Sequence, residues 1–339
     1  MTSASPADIQ RLAQRCCLQT SEFMVSSKFD LFKKYITMND GAKIALWDTQ
    51  NEAVPLVFVH GFPENHHCWD CLLSCLPDTV TKSFRFITYD LRGFGESSKS
   101  GEASISRLYK DHQTVVESLQ LPPYHFIGHD WGGALALQNA RFNPQSLRSA
   151  TVMNTNFWKT DLSGMWHLIF LNIPLLPKIA FKWFPKQFFK FAMIRSFNDT
   201  SRLEPHVLKS YFAMFCDTET TRYWIRLYKN MAKSLALQQF PHLSFILPEN
   251  KTQLPQRPTN SYHVSIMLVW GENDRFAPLW IGRDMLSRLT KRGANVAFHT
   301  ISEAGHFVQE DQPQKIVPLL IEHWNKIEKN RDDITGYPI

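Results

Sequence analysis

The 339-residue sequence has no long apolar run. Its most hydrophobic stretch, MWHLIFLNIPLLP (165–177), is too short to cross a bilayer, and His167, Asn172, Pro174 and Pro177 interrupt it. The first residues, MTSASPADIQRLAQRCC, lack the charged start and apolar core of a secretory signal, so the expectation is a soluble, cytoplasmic protein. Excess charge is also scarce. The 37 Lys and Arg exceed the 31 Asp and Glu by only six, and the basic residues are dispersed, which argues against a nucleic-acid partner. Cysteine is present six times, at positions 16, 17, 68, 71, 75 and 216, but not as two separated ligand pairs. In HHCWDCLLSC the spacing i, i+3, i+7 predicts one helix face of packing thiols, so no metal is expected. No internal repeat or low-complexity tract appears.

What is plentiful is apolar and aromatic mass: 44% hydrophobic residues, 25 Phe and 10 Trp. A chain of this length and content can build one large α/β domain carrying an insertion. Past a helical-looking extension (1–30), KKYITMNDGAKIALWDTQ reads as two strands joined at Asn39-Asp40-Gly41. Short β-rich runs follow, LVFVHG, FRFITYD, HFIGHD and SATVMN, each leading into a turn and a helix-like stretch. That alternation predicts a mostly parallel sheet with helices on both faces. Residues 1–154 are read as the first part of this core. From 155 to 257 the pattern becomes helical and proline-punctuated, as expected of an inserted lid; strands resume at SIMLVWGEND and NVAFHTISEAGH in the closing part, 258–339.

Three reactive groups fall at the carboxyl ends of these predicted strands: Asp130 after HFIGH, Asp274 after IMLVWGEN and His306 after FHTISEAG. Gly128 and Gly132 flank Asp130 as in the G-x-S-x-G turn, with aspartate where serine usually stands. The order acid nucleophile, acid, histidine is that of triads on such sheets, although each residue alone could be a helix cap, a turn former or a surface histidine. HGFPENHHCW follows the strand ending at Val59. By the usual placement of the oxyanion hole, the backbone N–H groups of Phe62 and Trp131 are the expected donors, and Pro63 is expected to shape the loop, with a cis bond one way to do so. Asp90 and Arg92, in YDLRGFGESS, read as loop-shaping residues.

Taken together, HGFPEN, YDLRGFGESSK, GHDWGG, MNTNF, LVWGENDRF and AGHFVQED resemble the epoxide hydrolase branch of the α/β-hydrolase superfamily, over roughly residues 35–326. The resemblance implies an α/β-hydrolase fold with a helical lid. It also implies a cofactor-independent hydrolysis of a lipophilic epoxide by water, through an ester on Asp130. IRLYKNM is similar to the lid motif that supplies a ring-opening hydroxyl, which points to Tyr228. The usual second lid tyrosine is missing between residues 157 and 206. His167, in MWHLIFL, stands there as in a His/Tyr subgroup, with a core-filling histidine as the plain alternative.

Haloalkane dehalogenases share the aspartate and HDWG, so a dehalogenase using the same triad is the competing activity, and a silent ligand-binding scaffold is a third reading. Phe62 after HG weighs against the dehalogenase. Finally, LPKIAFKWFPKQFFKFAMIR (176–195) spaces Lys178, Lys182, Lys186 and Lys190 four apart among aromatics. On one helix this would suit peripheral contact with a membrane, though Pro185 interrupts it.

Overall fold

The computed structural model describes residues 30–156, 166–202, 204–236 and 264–335. The N-terminal extension therefore lies outside the described residues, as does the stretch between the inserted helices and the return to the sheet. Eight strands form one sheet: β1 (Phe32–Thr37), β2 (Lys43–Asp48), β3 (Val54–Val59), β4 (Phe84–Tyr89), β5 (Tyr124–His129), β6 (Leu147–Met153), β7 (Ser265–Gly271) and β8 (Val296–Ile301). They lie in the order β1-β2-β4-β3-β5-β6-β7-β8. The first two strands form the expected hairpin, with Gly41 at φ +80° in its turn. From β4 to β8 every pairing is parallel.

Parallel strands covered on both faces need apolar residues throughout. In β5 and β7 every residue is buried. The order reverses at β3, which pairs with β4 on one side and β5 on the other. Connections leave in opposite directions at such a switch point, opening a crevice beyond the carboxyl ends of the strands. Register then sets what lines it: Val59 pairs with Gly128, His129 with Met153, and Gly271 with Ile301. The loops after β3, β5, β6, β7 and β8 therefore emerge side by side.

Between β6 and β7 run the helices Trp166–Asn172, Leu176–Trp183, Pro185–Ser196, Pro205–Cys216 and Thr218–Ala236. The last of these is fastened to the loop after β4. The Trp224 indole N–H donates to the Gly93 carbonyl (3.1 Å), the Tyr223 hydroxyl to that of Glu102 (3.0 Å), and the Asn230 amide to that of Ala103 (2.9 Å). Gly93 must be glycine for this approach. Its φ is +88°, and a Cβ there would lie 2.0 Å from the Tyr223 ring. Rings of Phe181, Phe215 and Trp224 pack the interior of the insertion at 5.3–6.2 Å, each worth roughly 1.5–3 kcal/mol of burial.

Two readings from the sequence change here. The cysteine run does not lie on one helix, because a 3₁₀ turn (His66–Trp69) hands over to a short α-helix (Asp70–Ser74); Cys68, Cys71 and Cys75 are free thiols. The four spaced lysines also divide, two per helix, at the break between Trp183 and Pro185. Pro185 has no N–H to continue a helix and starts a new one instead.

Candidate active site

Asp130 occupies the turn between β5 and the helix Trp131–Phe142 with φ +46° and ψ −108°, a strained geometry for a residue with a side chain. The neighbours permit it by being small. A Cβ on Gly128 would come within 2.1 Å of the Gly132 carbonyl oxygen, and one on Gly132 within 1.9 Å of that of Val59. The Asp130 carboxylate caps no helix N–H. Instead Oδ2 accepts a hydrogen bond from the Phe62 backbone N–H at 2.9 Å. The peptide between Phe62 and Pro63 is cis.

His306 faces the same carboxylate, its Nε2 3.9 Å from Asp130 Oδ1. Its Nδ1 lies 2.8 Å from Asp274 Oδ2. An imidazole between an orienting carboxylate and a second acid can pass a proton to or from whatever sits between them. Asp274 is itself held from three sides: Oδ1 accepts from the N–H groups of Phe276 (2.7 Å) and Ala277 (2.9 Å), and Oδ2 from the Asn154 amide (2.6 Å). The three groups picked out at separate strand ends thus meet in one place. His306 is buried, not a surface loop residue.

Charge follows from this packing. Burial pushes the Asp130 carboxyl above its ordinary value, against the pull of the His306 and His129 charges and the Phe62 N–H. For His306 burial acts downward, but the Asp274 carboxylate, helped by Asp130, outweighs it and holds the imidazole up at about 9. Burial, reinforced by the charge on Asp130, drives the Tyr228 phenol well above its usual value, so it remains a proton donor throughout the physiological range.

Tyr228, on the helix Thr218–Ala236, lines a cavity of about 60 Å³ together with Asp130, His306, Phe62 and Trp131. The remaining wall is largely apolar, including Leu171, Phe188 and Phe215 from the inserted helices. The Phe62 and Trp131 rings both meet that of Tyr228 edge-on, at 4.9 and 5.6 Å. The Trp131 indole, which can only donate, pulls the Tyr228 phenol down against its burial and so favours the phenolate. His167 belongs to the helix Trp166–Asn172, but its side chain lies outside the described residues.

Sequence reasoning missed the supports under the site. Asn154 sits at φ +42° directly after β6 and spans to β7, donating to Asp274 while accepting the Gly271 N–H (3.2 Å). Below Asp130, His129 Nδ1 lies 2.6 Å from Glu64 and Nε2 lies 2.9 Å from the His306 carbonyl oxygen, while Gln309 donates to the other Glu64 oxygen. Glu64 also accepts the Gly61 N–H at 2.7 Å. Glu64, His129 and Gln309 lie within the very motifs quoted above, so their polarity inside strongly apolar runs was the available signal. Asp90 and Arg92 are loop fasteners: Asp90 accepts from the N–H groups of His66 and Glu96, and buried Arg92 pairs with Asp111 and Asp40.

The sequence profile of the alpha/beta hydrolase fold matches residues 54–313. The chain belongs to the alpha/beta hydrolase fold family. The chain is 23% identical to bifunctional epoxide hydrolase 2 of Mus musculus over 331 residues, 91% of this chain, and spans 58% of that protein's length. It is 26% identical to human epoxide hydrolase 4 over 301 residues, 82% of this chain and 74% of the relative. The resemblance to epoxide hydrolases read from the motifs thus recurs along most of the chain. Among solved structures, haloalkane dehalogenase DbeA from Bradyrhizobium elkani superposes with a TM-score of 0.72 at 18% identity, over 89% of this chain and all of that one, which shows the shared fold.

Proposed function

We propose that this hydrolase opens epoxides to vicinal diols without a cofactor, through an alkyl ester on Asp130. The observation that carries the reading is a protonated phenol, Tyr228, in the same largely apolar cavity as a carboxylate that caps no helix N–H. Oδ1 of Asp130 attacks the epoxide carbon, the C–O bond breaks, and the departing oxygen takes the Tyr228 proton. The Trp131 indole, which lowers the Tyr228 phenol against burial, supports the phenolate this leaves. His167 is proposed as the second donor on the resemblance of MWHLIFL to the His/Tyr subgroup; its helix also carries Leu171, which lines the cavity.

Esterification changes the electrostatics of the second step. It neutralises Asp130, one of the charges that hold His306 up, so the imidazole becomes easier to deprotonate once the ester exists. Neutral His306, oriented by Asp274, then takes a proton from water as the hydroxide adds to the ester carbonyl. The carbonyl oxygen derives from Oδ2, already on the Phe62 N–H. As the adduct collapses, the diol oxygen leaves with the proton from His306, and the Asp130 carboxyl, which carries the hydrogen of the added hydroxide, returns that proton to the Tyr228 phenolate, so both groups are restored. The Phe62 and Trp131 N–H groups are proposed as the oxyanion donors.

The test is intact-protein mass spectrometry of His306→Gln, incubated separately with terminal epoxides and with 1-haloalkanes. An adduct with the mass of the whole epoxide is expected, because alkylation needs no base and hydrolysis does. An alkyl adduct lacking halogen would move the assignment to a dehalogenase. No adduct from either panel on folded protein would favour a silent scaffold.

A further inference from the structure

Among the described residues twelve large apolar side chains are exposed, and eight of them fall between residues 169 and 191. They gather at two corners of the insertion. One is the turn 173–176, where Leu175 is 67% exposed; the other is the junction 183–184, where Trp183 is 66% exposed. The first is a formed turn: Leu176 N–H donates to the Pro174 carbonyl (2.8 Å) and Ile179 N–H to that of Leu175 (3.0 Å). Leu175 has φ +64°, a strained choice for a leucine that packs against nothing inside. Apolar surface gathered so densely marks a binding face.

Charge says what kind. Residues 166–196 contain no aspartate or glutamate but four lysines and an arginine. Lys178 and Lys182 are exposed on the helix between the two apolar corners, and the Lys182 ammonium lies 5.2 Å from the centre of the Trp183 ring. Lys178 also edges a groove of about 750 Å³ lined by Lys99, Arg222, Arg226 and Lys229, with Glu219 as its acid. A second copy of this chain is a poor occupant, because a two-fold contact would bring the same cations face to face. Anionic headgroups over an apolar layer match both the charge and the exposed rings.

We propose that this face of the inserted helices docks on an anionic phospholipid bilayer, with residues 173–176 and 183–184 entering at the headgroup level and the lysines and the groove meeting the phosphates. No helix among the described residues is long and apolar enough to cross a membrane, so the contact is peripheral. The inference concerns the surface and holds whatever reaction the cavity runs.

Flotation of the full chain with vesicles tests it, comparing phosphatidylcholine alone with phosphatidylcholine containing about a third phosphatidylserine. The protein is expected to float with the anionic vesicles and to be released as salt rises. Leu175→Glu/Trp183→Glu and Lys178→Glu/Lys182→Glu should each lower the bound fraction by roughly tenfold or more. Phe32→Glu, an exposed apolar site on β1, should not change it. Unchanged melting temperatures establish that the variants fold, since the altered side chains are at the surface. Three results overturn the proposal: no flotation with anionic vesicles, binding that survives Leu175→Glu/Trp183→Glu, or a dimer in sedimentation equilibrium that the same double substitution breaks.

Discussion

The strand-end side of the cavity and the helical side hold their reactive groups by different means. Asp130, Asp274 and His306 sit on loops whose starting points are fixed by strand register, and hydrogen bonds within a buried network set each side chain. Tyr228 comes from a helix positioned by aromatic packing and by three hydrogen bonds to the loop after β4. The first arrangement fixes atoms to within a bond length. The second fixes a face, and the outer side of the same insertion remains apolar and basic. Chemistry that must be repeated for any substrate belongs on the sheet, and recognition that varies with substrate belongs on the helices.

The contrast is sharpened most by removing the group that reaches across. Tyr228→Phe keeps the ring and its packing but leaves the departing oxygen without its proton. Ester formation in single turnover should fall by about 10² to 10³-fold, while hydrolysis of ester already formed changes little. If both steps fell together, Tyr228 would be packing the site and not donating to it. On the sheet side, Asn154→Ala removes one of the three donors that hold Asp274 besides His306 and orphans the Gly271 N–H. The expected effect is smaller, about tenfold and confined to ester hydrolysis, with a loss of roughly 1–3 kcal/mol in stability. Equal loss in both steps would show that Asn154 serves the turn and not the histidine.

The same contrast decides what could be read from the sequence. A parallel strand between two helix layers must be apolar throughout and must end in a tight turn, so LVFVHG, HFIGHD and SIMLVWGEND mark their own ends. The reactive residues at those ends were therefore legible. The role of Asn154 was not, although it lies in the quoted motif MNTNF, because its contacts appear only once β6 and β7 are placed side by side. His129 and Glu64 lay inside recognised motifs, yet their pairing spans 65 positions and requires β3 and β5 to be neighbours. The cysteine run failed for a local reason. Spacing of i, i+3 and i+7 fits a helix, but a 3₁₀ turn carries Cys68, which is buried, while Cys71 and Cys75, from the short helix and its end, are half-buried. On the inserted side, the aromatic excess announced a bulky apolar region without saying which rings face the cavity, which face the core and which face outward.

The smallest effect expected is on stability, and it separates the two sides by pH. Burial raises the Asp130 carboxyl in the fold above its unfolded value of 3.8. Native protein therefore binds its proton more tightly than unfolded chain, and ionisation weakens the fold as pH rises from that value through the folded one. Asp130→Asn removes the ionisation while keeping an oxygen for the Phe62 N–H. At neutral pH the variant should be the more stable by roughly 1 kcal/mol, and the difference should close as pH falls toward 4. Above about 9 His306 loses its proton and no longer offsets the carboxylate, so the difference should widen again. Thermal melts of the two proteins across pH measure it. A gap that stayed flat from acid to alkali would mean that ionisation of the buried carboxyl does not cost the fold stability, leaving the turn at φ +46°, which this comparison cancels, as the strain that holds the nucleophile there.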